Sequence, residues 1–260
     1  MITDMFSLEI ECDPDDRELL IADLWDHHSA GIVELSNVRV RAFFEDGEDR
    51  NELLQLFPGS TWRIEENRDW VQSARDLLQP MEVGARFFLV PEWRDDPTPA
   101  GRLRIAVNPG MAFGTGVHET TQLCLEALEE FVTPGVRVLD VGTGSGILAQ
   151  AAALLGAGKV YACDNDPVAV EIAREGFVGS VDAVATESVD VVVANISPEA
   201  IMQLAPDLVR VLRPGGILLA SGLEIPEVEQ VKSKLPPARE VRHKGNWALI
   251  VTSTIVTSAC

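Results

Sequence analysis

The sequence predicts an α/β protein in two parts, a small α+β domain followed by a larger domain built on a doubly wound parallel sheet. Strand and helix patterns alternate over residues 103–260, which is typical of a parallel sheet covered by helices on both faces. Residues 1–66 show the order βαββαβ, which is typical of a ferredoxin-like domain. Residues 67–102 lie between the two and end in several prolines, so we interpret them as a linker helix and a connector.

Length and composition limit the possible classes of protein. The 260 residues suggest one or two domains, and 46% hydrophobic residues can form a sizeable core, which excludes a chain disordered throughout. The apolar runs are too short to span a bilayer, and the first residues lack the basic and apolar regions of a secretory signal. We therefore expect a soluble, cytoplasmic monomer without a membrane partner.

The charge of the chain is strongly acidic and unevenly distributed. The 41 acidic and 21 basic side chains give a net charge of −20, which argues against binding to nucleic acid or to anionic membranes. Residues 1–70 contain 18 Asp and Glu against 6 Lys and Arg, a net charge of −12. Two interpretations stay open, a surface that keeps the protein in solution and a surface that attracts a basic partner.

The cysteines and histidines form no pattern that would hold a metal ion or a set of disulfides. No two of the four cysteines have CxxC spacing, and the four histidines form no HxxxH or HExxH pattern. We therefore predict neither a structural nor a catalytic metal.

The N-terminal domain begins with a strand and a helix. Residues 6–12 alternate between apolar and polar side chains, which predicts a strand. Asp13 followed by Pro14 is typical of a helix start, with Asp13 as the N-cap. We expect this helix to bury an apolar stripe that includes Trp25 and to end at Gly31.

The rest of this domain follows from its turn residues. Residues 32–35 and 38–44 flank a two-residue turn, which predicts a hairpin. A short helix over 49–57 should end at Pro58-Gly59. Residues 61–65 complete the domain as a strand.

The connector and the larger domain contain further predicted elements. In the connector, residues 67–78 with Trp70 read as a helix and residues 87–90 as a short strand. In the larger domain, apolar segments separated by amphipathic helices predict strands. These segments are 137–141, 159–163, 189–194, 216–221 and 247–251.

A glycine-rich turn follows the first of these strands. Gly142-Thr143-Gly144-Ser145-Gly146 has the spacing GxGxG and not the GxGxxG of dinucleotide-binding proteins, and Asp140 precedes it by two residues. Asp164 ends the next strand, where an acid can accept both ribose hydroxyls of a nucleoside. The set predicts an adenosine ligand without a bound pyrophosphate. A plain tight turn is the alternative for the glycines, and a helix cap is the alternative for Asp164, although Asp166 suits that role better.

Two further segments carry polar residues suited to a ligand. Residues 108–121 include the loop Phe-Gly-Thr-Gly at 113–116 and lead into a helix, whose first backbone N–H groups suit a carboxylate. Thr120 and Thr121 could instead be simple helix caps. Asn195 follows a buried strand and could orient a substrate amine. Its alternative role is to cap the helix that begins near Pro198.

The chain resembles the ribosomal protein L11 methyltransferases, which are class I S-adenosylmethionine-dependent enzymes with a Rossmann-like methyltransferase sheet. The resemblance is close over about residues 68–260. The segments that carry it are Trp70, 83–87, 90–93, 112–118 with Thr120-Thr121, 140–148, 164–167, 194–196, 212–216, 221–222 and Trp247. The loop AFGTG joined to the GxGxGIL turn is specific to this family, whereas either motif alone would not be.

The resemblance implies a set of cofactor-binding residues. Carried over position by position, the cofactor contacts of the family fall on Thr121, Gly142, Asp164 and Asn195. Asp164 would bind the ribose, while Gly142 and Gly144 would let the cofactor lie against the turn. The methionine end would be held by Thr121 together with the loop residues Phe113, Gly114 and Thr115.

The resemblance also implies the reaction and the partner. The chain would transfer methyl groups from S-adenosylmethionine to lysine side chains and the N-terminal amine of ribosomal protein L11. Asn195 would position the amine, and Trp247 would wall the same pocket or belong to the core. The N-terminal domain would recognise the ribosomal protein.

This sequence departs from the family after Asp166, and other functions stay open. The asparagine-rich stretch usual in the family is missing. The acid often found after the third strand in the family appears here as Ser180, with Asp182 nearby, so the resemblance leaves the contact to the adenine edge open between these two residues. One alternative is a lysine methyltransferase of the same fold that acts on another protein, such as electron-transfer flavoprotein. Others are a nucleotide-binding oxidoreductase, against which the glycine spacing argues, and a cofactor-binding regulator without catalysis.

Overall fold

The computed structural model describes residues 5–14, 16–45, 48–65, 79–107, 118–173 and 176–254. The chain forms two compact units, Met1–Gln79 and Pro80–Cys260. Among the described residues, no helix is long and apolar enough to cross a membrane.

The N-terminal unit contains one four-stranded sheet and two helices. In chain order, the elements are β1 (Met5–Glu11), α1 (Arg17–Asp26), β2 (Gly31–Ser36), β3 (Arg39–Glu45), α2 (Arg50–Leu56) and β4 (Thr61–Glu65). The strands lie in the order β2-β3-β1-β4, and every neighbouring pair is antiparallel. This is the predicted order of elements. Phe6, Leu8 and Ile10 lie on one face of β1 and are buried, as their alternation predicted.

The first helix differs from its prediction at both ends. It begins at Arg17, and its N-cap is Asp16, not Asp13. Asp13 lies before the helix instead, where its carbonyl accepts a hydrogen bond from the N–H of Asp16. The helix ends at Asp26 and not at Gly31, because Gly31 is already the first residue of β2.

The side chain predicted to belong to the apolar stripe of α1 also lies outside the core. Trp25 is 52% exposed, whereas Leu24 is fully buried.

The second helix agrees with its prediction at both ends. The Asp49 carboxylate accepts hydrogen bonds from the N–H groups of Asn51 and Glu52, and the helix stops just before Phe57-Pro58-Gly59.

Part of the predicted connector belongs to the second unit. Residues 80–102 contain two strands, β5 (Met81–Val83) and β6 (Phe87–Pro91), and β6 pairs with β7 (Leu103–Val107) in a separate three-stranded sheet. The Arg102 guanidinium holds the turn between β5 and β6, donating to the carbonyls of Gly84 at 2.8 Å and Phe87 at 3.0 Å. The predicted helix over 67–78, with Trp70, lies outside the described residues.

The larger sheet has seven strands. Its strands are β8 (Arg137–Val141), β9 (Lys159–Asp164), β10 (Gly176–Val178), β11 (Val189–Asn195), β12 (Leu212–Glu224), β13 (Ala238–Lys244) and β14 (Trp247–Ser253). Its helices are α3 (Glu119–Phe131), α4 (Ile147–Leu154), α5 (Pro167–Ala173), α6 (Pro198–Arg210) and α7 (Val228–Lys232). The strand order is β10-β9-β8-β11-β12-β14-β13. The first five strands are parallel. Four of them, β8, β9, β11 and β12, were predicted, whereas β10 was not. The predicted strand over 247–251 forms β14, which together with β13 is an antiparallel addition at one edge and not part of the parallel sheet.

Apolar residues cover both faces of this sheet. Val138 and Val191 belong to one buried cluster, whereas their chain neighbours Leu139 and Val192 belong to the other. This alternation places one core on each face, as expected when helices pack on both sides of a parallel sheet. Polar side chains that are to meet a ligand must then lie where the strands end.

The strand order reverses between β8 and β11. From β8, the chain first adds β9 and β10 on one side and then crosses to β11 and β12 on the other. In open α/β sheets, ligands bind outside the carboxyl ends of the strands at such a reversal. The glycine turn follows β8, and Asn195 is the last residue of β11, so both lie at this point.

Candidate functional site

The glycine turn between β8 and α4 has a backbone that side chains would disturb. Gly142, Gly144 and Gly146 have positive φ angles of 69°, 51° and 76°, a region that residues with a Cβ rarely occupy. The N–H of Gly142 donates to the carbonyl of Cys163 at 2.9 Å, which ties the turn to β9. A Cβ at Gly142 would overlap the side chain of Ile196. The turn therefore lies against both neighbouring strand ends.

Asp140, near the end of β8, stabilises this turn by hydrogen bonds. It is fully buried, and its Oδ2 accepts hydrogen bonds from Thr143 Oγ1 at 2.7 Å and from the N–H of Ala149 at 3.1 Å. Burial raises the pKa of Asp140 to about 6, although the two hydrogen bonds favour the charged form. A single carboxylate thus connects the middle of the turn to the first turn of α4.

Asp164 lies beside the turn at the end of β9. Its Oδ2 accepts from the N–H of Gly144 at 3.0 Å, and its Oδ1 accepts from the N–H of Asp166 at 3.0 Å. The carbonyl of Asp164 accepts from the N–H of Gly179, at 2.9 Å, so the residues after β10 also reach this point. The structure therefore brings together the predicted ribose-binding acid and the predicted glycine turn.

The two candidates for the adenine edge lie in different surroundings. Ser180 directly follows Gly179, next to Asp164. Asp182 lies in a short 3-10 helix over Val181–Ala183, and its carbonyl accepts from the guanidinium of Arg210, at 3.3 Å. Ser180 therefore follows a residue that is bonded to Asp164, whereas the contact shown for Asp182 is to Arg210.

Thr121 and Asn195 meet across the sheet end. The side-chain N–H of Asn195 donates to Thr121 Oγ1 at 3.4 Å, and Thr121 is 1% exposed. Neither residue caps a helix. The N-cap of α3 is His118, and the N-cap of α6 is Ser197, whose hydroxyl accepts from the N–H of Ala200.

His118 is a residue of this region that the sequence analysis did not single out. Its ring lies edge-on against the ring of Trp247, with the centroids 4.6 Å apart. The Nδ1 atom lies 2.7 Å from Thr120 Oγ1 and 3.3 Å from the backbone N of Thr120. Trp247 is partly buried and packs at the margin of the core. The motif Val117-His118-Glu119 before the two threonines was the available signal.

Gly222 is a second residue that the analysis missed as part of the site. It has a φ of +91°, and a Cβ there would lie 3.0 Å or less from the backbone N, C and O of Ile196. The N–H of Ile196 in turn donates to the carbonyl of Ser221 at 3.2 Å. Gly222 therefore lets β12 approach the backbone that follows Asn195.

Several predicted site residues cannot be placed in this geometry. Phe113, Gly114 and Thr115 lie outside the described residues, and their contacts to the methionine end stay predictions. The same holds for all proposed cofactor contacts. No group of three or more His, Cys, Asp or Glu side chains suited to a metal ion occurs within the described ranges.

Comparison with known proteins identifies the family. The family profile described as ribosomal protein L11 methyltransferase matches residues 15–254. The chain belongs to the ribosomal protein L11 methyltransferase family. A ribosomal protein L11 methyltransferase of Symbiobacterium thermophilum is 41% identical over 252 residues, covering 92% of this chain and 82% of that protein. One of Carboxydothermus hydrogenoformans is 38% identical over 259 residues, covering 88% and 85%.

A solved structure supports the same assignment. The crystal structure of the ribosomal protein L11 methylase of Lactobacillus delbrueckii subsp. bulgaricus superimposes with a TM-score of 0.61 at 31% identity. The match covers 68% of this chain and all of that one. The predicted family, the methyltransferase fold and the prediction of an S-adenosylmethionine-dependent enzyme are confirmed. Membership in the ribosomal protein L11 methyltransferase family also disfavours the oxidoreductase alternative.

Proposed function

We propose that this chain transfers methyl groups from S-adenosylmethionine to amino groups of ribosomal protein L11, on lysine side chains and at the N-terminus. One observation carries the proposal. The glycine turn, Asp164 and Asn195 lie together at the carboxyl ends of three adjacent parallel strands of the seven-stranded sheet. The names of the related proteins supply the substrate.

The residues at this edge fit the cofactor. The three glycines of the turn carry no side chain that would keep a ligand away from its backbone. Asp164 is partly exposed beside the turn, and we assign it to the ribose hydroxyls, for which a carboxylate is a strong acceptor. Thr121 and the loop Phe113–Gly116 are assigned to the methionine end, and Ser180 to the adenine edge.

Asn195 is assigned to the substrate amine. Its side-chain N–H donates to Thr121 Oγ1 at 3.4 Å. The carbonyl oxygen of the amide then faces away from Thr121, where it can accept a hydrogen bond from an incoming amine. When bound, S-adenosylmethionine supplies an electrophilic methyl group. Alignment of the amine with that group can contribute about 7–11 kcal/mol to the lowering of the barrier.

The amine must arrive without its proton. A free lysine has a pKa of about 10.4, and both removal from water and a nearby positive charge lower it. The edge-on pair of His118 and Trp247 lies at the start of the helix that carries Thr121. We assign Trp247 to the wall of the amine pocket, where its apolar surface would exclude water.

The N-terminal unit is assigned to docking of the protein substrate. Three of its seven arginines, Arg39, Arg41 and Arg63, surround Glu9 on the sheet and are engaged there. Acidic side chains elsewhere on the unit, such as Asp16 and Asp23, are exposed. Ribosomal proteins are typically basic, so opposite charge would speed the encounter. We place the reaction in the cytoplasm, where such a substrate would be available.

One experiment tests the reaction and its target. The full-length chain is incubated with S-adenosylmethionine that carries a labelled methyl group and with purified ribosomal protein L11, and the labelled residues are mapped by mass spectrometry. Label on lysine and N-terminal amines of L11 is expected. Label on a different protein in a mixture of ribosomal proteins, with L11 unlabelled, would contradict the proposed target.

A second experiment tests the role of charge in docking. Raising the salt concentration from about 0.01 M to 0.15 M shortens the screening length from about 30 Å to 8 Å. We expect kcat/KM for L11 to fall over this range, because screening slows an electrostatically steered encounter. A kcat/KM that does not change with salt would refute the electrostatic part of the docking role.

A further inference from the structure

Asp140 has one carboxylate oxygen that the protein satisfies and one that it does not. Oδ2 accepts from Thr143 and from the N–H of Ala149, as described above. Oδ1 is buried, and among the described residues no group donates a hydrogen bond to it. A fully buried acceptor without a donor is costly for a protein. Such an atom therefore points to a partner other than the described residues.

The surroundings of Asp140 contain no compensating positive charge within the described part of the chain. The ionisable groups that face it are Cys124 on α3 and Cys163 and Asp164 on β9. Burial raises the pKa values of both cysteines, so their thiols are neutral at physiological pH. Asp164 carries a charge of the same sign as Asp140 and opposes its ionisation. The carboxylate is thus buried without a counter-ion.

We propose that Asp140 is a buried counter-charge for the cationic cofactor. Binding of S-adenosylmethionine then releases the proton of Asp140 to solvent. The ionised carboxylate distinguishes the cofactor from its product. The proposal rests on the proposed function, because it assumes that the cofactor lies on the glycine turn directly above Asp140. S-adenosylmethionine carries a sulfonium charge, whereas S-adenosylhomocysteine, left after methyl transfer, has a neutral thioether. A nearby positive charge favours an ionised acid. The cofactor therefore holds Asp140 ionised more strongly than the product does.

The sign of the pH dependence follows from linkage. Without ligand, burial raises the pKa of Asp140 to about 6, so the acid is mostly protonated below that pH. Binding S-adenosylmethionine there must expel the proton, and the affinity then falls by up to about tenfold for each pH unit below 6. Above about pH 7, Asp140 is already ionised, and this contribution to the pH dependence disappears. For S-adenosylhomocysteine, the fall is smaller.

Isothermal titration calorimetry on the full-length protein tests this directly. Each ligand is titrated between about pH 5 and pH 8, in two buffers of different ionisation enthalpy, so that affinity and released protons are measured together. We expect proton release near pH 6 with S-adenosylmethionine, less with S-adenosylhomocysteine, and a preference for the cofactor that grows with pH.

Three variants assign the proton to Asp140. Asp140→Asn keeps the shape but cannot ionise, so proton release and the pH-dependent preference should both vanish. Glu171→Gln on the exposed surface of α5 removes one negative charge elsewhere and should leave both unchanged. If Asp140→Asn does not fold, Thr143→Val serves instead. It removes a hydrogen bond that lowers the pKa of Asp140, so the midpoint should move to higher pH.

The possible outcomes separate this proposal from the proposed function. Proton release by Asp140→Asn equal to that of the wild type would overturn the proposal and assign the proton to another group. Equal proton release with cofactor and product would refute the claim that Asp140 distinguishes the two. Tight but pH-independent binding of S-adenosylmethionine would overturn the proposal and leave the proposed function intact. No binding of S-adenosylmethionine at any pH would instead contradict the proposed function itself.

Discussion

The two main sheets of this protein place charge in opposite ways. In the N-terminal sheet, charged side chains stand in the middle of the strands and pair across them. Glu9 on β1 is bonded to Arg41 on β3 at 2.7 Å, and Arg39 and Arg63 lie nearby. In the seven-stranded sheet, apolar side chains fill both faces along the middle of the strands, and the site residues Asp164 and Asn195 come where strands end.

The difference follows from what covers each sheet. An antiparallel sheet can leave one face open, so charges there are solvated and inexpensive, whereas a parallel sheet covered on both faces buries whatever its strands carry. Asp140 is the exception within the second sheet, because it is charged at neutral pH and fully buried. A buried acid without a counter-ion in such a sheet indicates a functional role, whereas Glu9 in its arginine cluster does not.

The largest expected effect comes from a glycine that the seven-stranded sheet needs at its end. Gly222→Ala should destabilise the protein by about 2–5 kcal/mol. Strain at positive φ contributes about 1–2 kcal/mol, and the clash with the backbone of Ile196 contributes about 1–3 kcal/mol. Urea unfolding measures the change.

Gly135 offers a matched control for this substitution. It has the same φ of +91°, but nothing lies within 4 Å of a Cβ built there. Gly135→Ala should therefore show only the strain of the backbone conformation. Equal losses from the two substitutions would mean that the close approach of Gly222 to Ile196 carries no energetic weight.

The second effect concerns cofactor affinity at the end of β9. Asp164→Ala should weaken binding of S-adenosylmethionine by about 1–3 kcal/mol, because hydrogen bonds to a charged group are lost. Asp164→Asn keeps one oxygen acceptor and should lose less. Calorimetric titration of both variants provides the test, and an unchanged affinity in Asp164→Ala would remove this residue from the site.

The third effect separates catalysis from binding at the end of β11. Asn195→Ala should lower kcat by about 10-fold or more, with a much smaller change in cofactor affinity. The reason is that the hydrogen bond to the amine stabilises the transition state of methyl transfer. Ser197→Ala, two residues further on, removes only the cap of α6 and should leave kcat nearly unchanged. Parallel losses of kcat and of cofactor affinity in Asn195→Ala would assign Asn195 to the cofactor instead.

The sequence predicted elements whose signals are local. Asp49 with Pro58-Gly59 defined α2, because the cap and the turn act within a few residues. The glycine turn after β8 was predictable for the same reason, since positive φ angles require glycine. Apolar segments between amphipathic helices were enough to predict four of the five parallel strands of the large sheet, whereas the three-residue β10 was missed.

Features that depend on distant partners were missed. The sheet formed by β5, β6 and β7 is stabilised from outside its own sequence. The Glu129 carboxylate on α3 accepts from the N–H groups of Ala85 and Arg86, at 2.9 and 2.8 Å. The start of α1 was misplaced because Asp13-Pro14 suits a turn as well as a helix start. The contact between His118 and Trp247 joins residues far apart in the chain, so no local pattern could show it.

The smallest expected effect tests the surface charges of the N-terminal sheet. Hydrogen bonding to Arg41 lowers the pKa of Glu9 from its ordinary value of 4.5, assisted by the charges of Arg63 and Arg39. Glu9 therefore stabilises the unit fully above about pH 4.5, and this contribution is lost as the pH falls through its lower folded-state pKa. Glu9→Gln should cost about 1 kcal/mol near pH 7, and the difference from wild type should shrink as the pH falls through that lowered pKa. Hydrogen exchange of the amides in β1 and β3 measures this locally.

Glu11→Gln is the control for this substitution. Glu11 is 75% exposed and pairs with Arg39 alone among the described residues, so its effect should be smaller. A loss of protection that extended to β8 and β11 would contradict the separation between the two sheets.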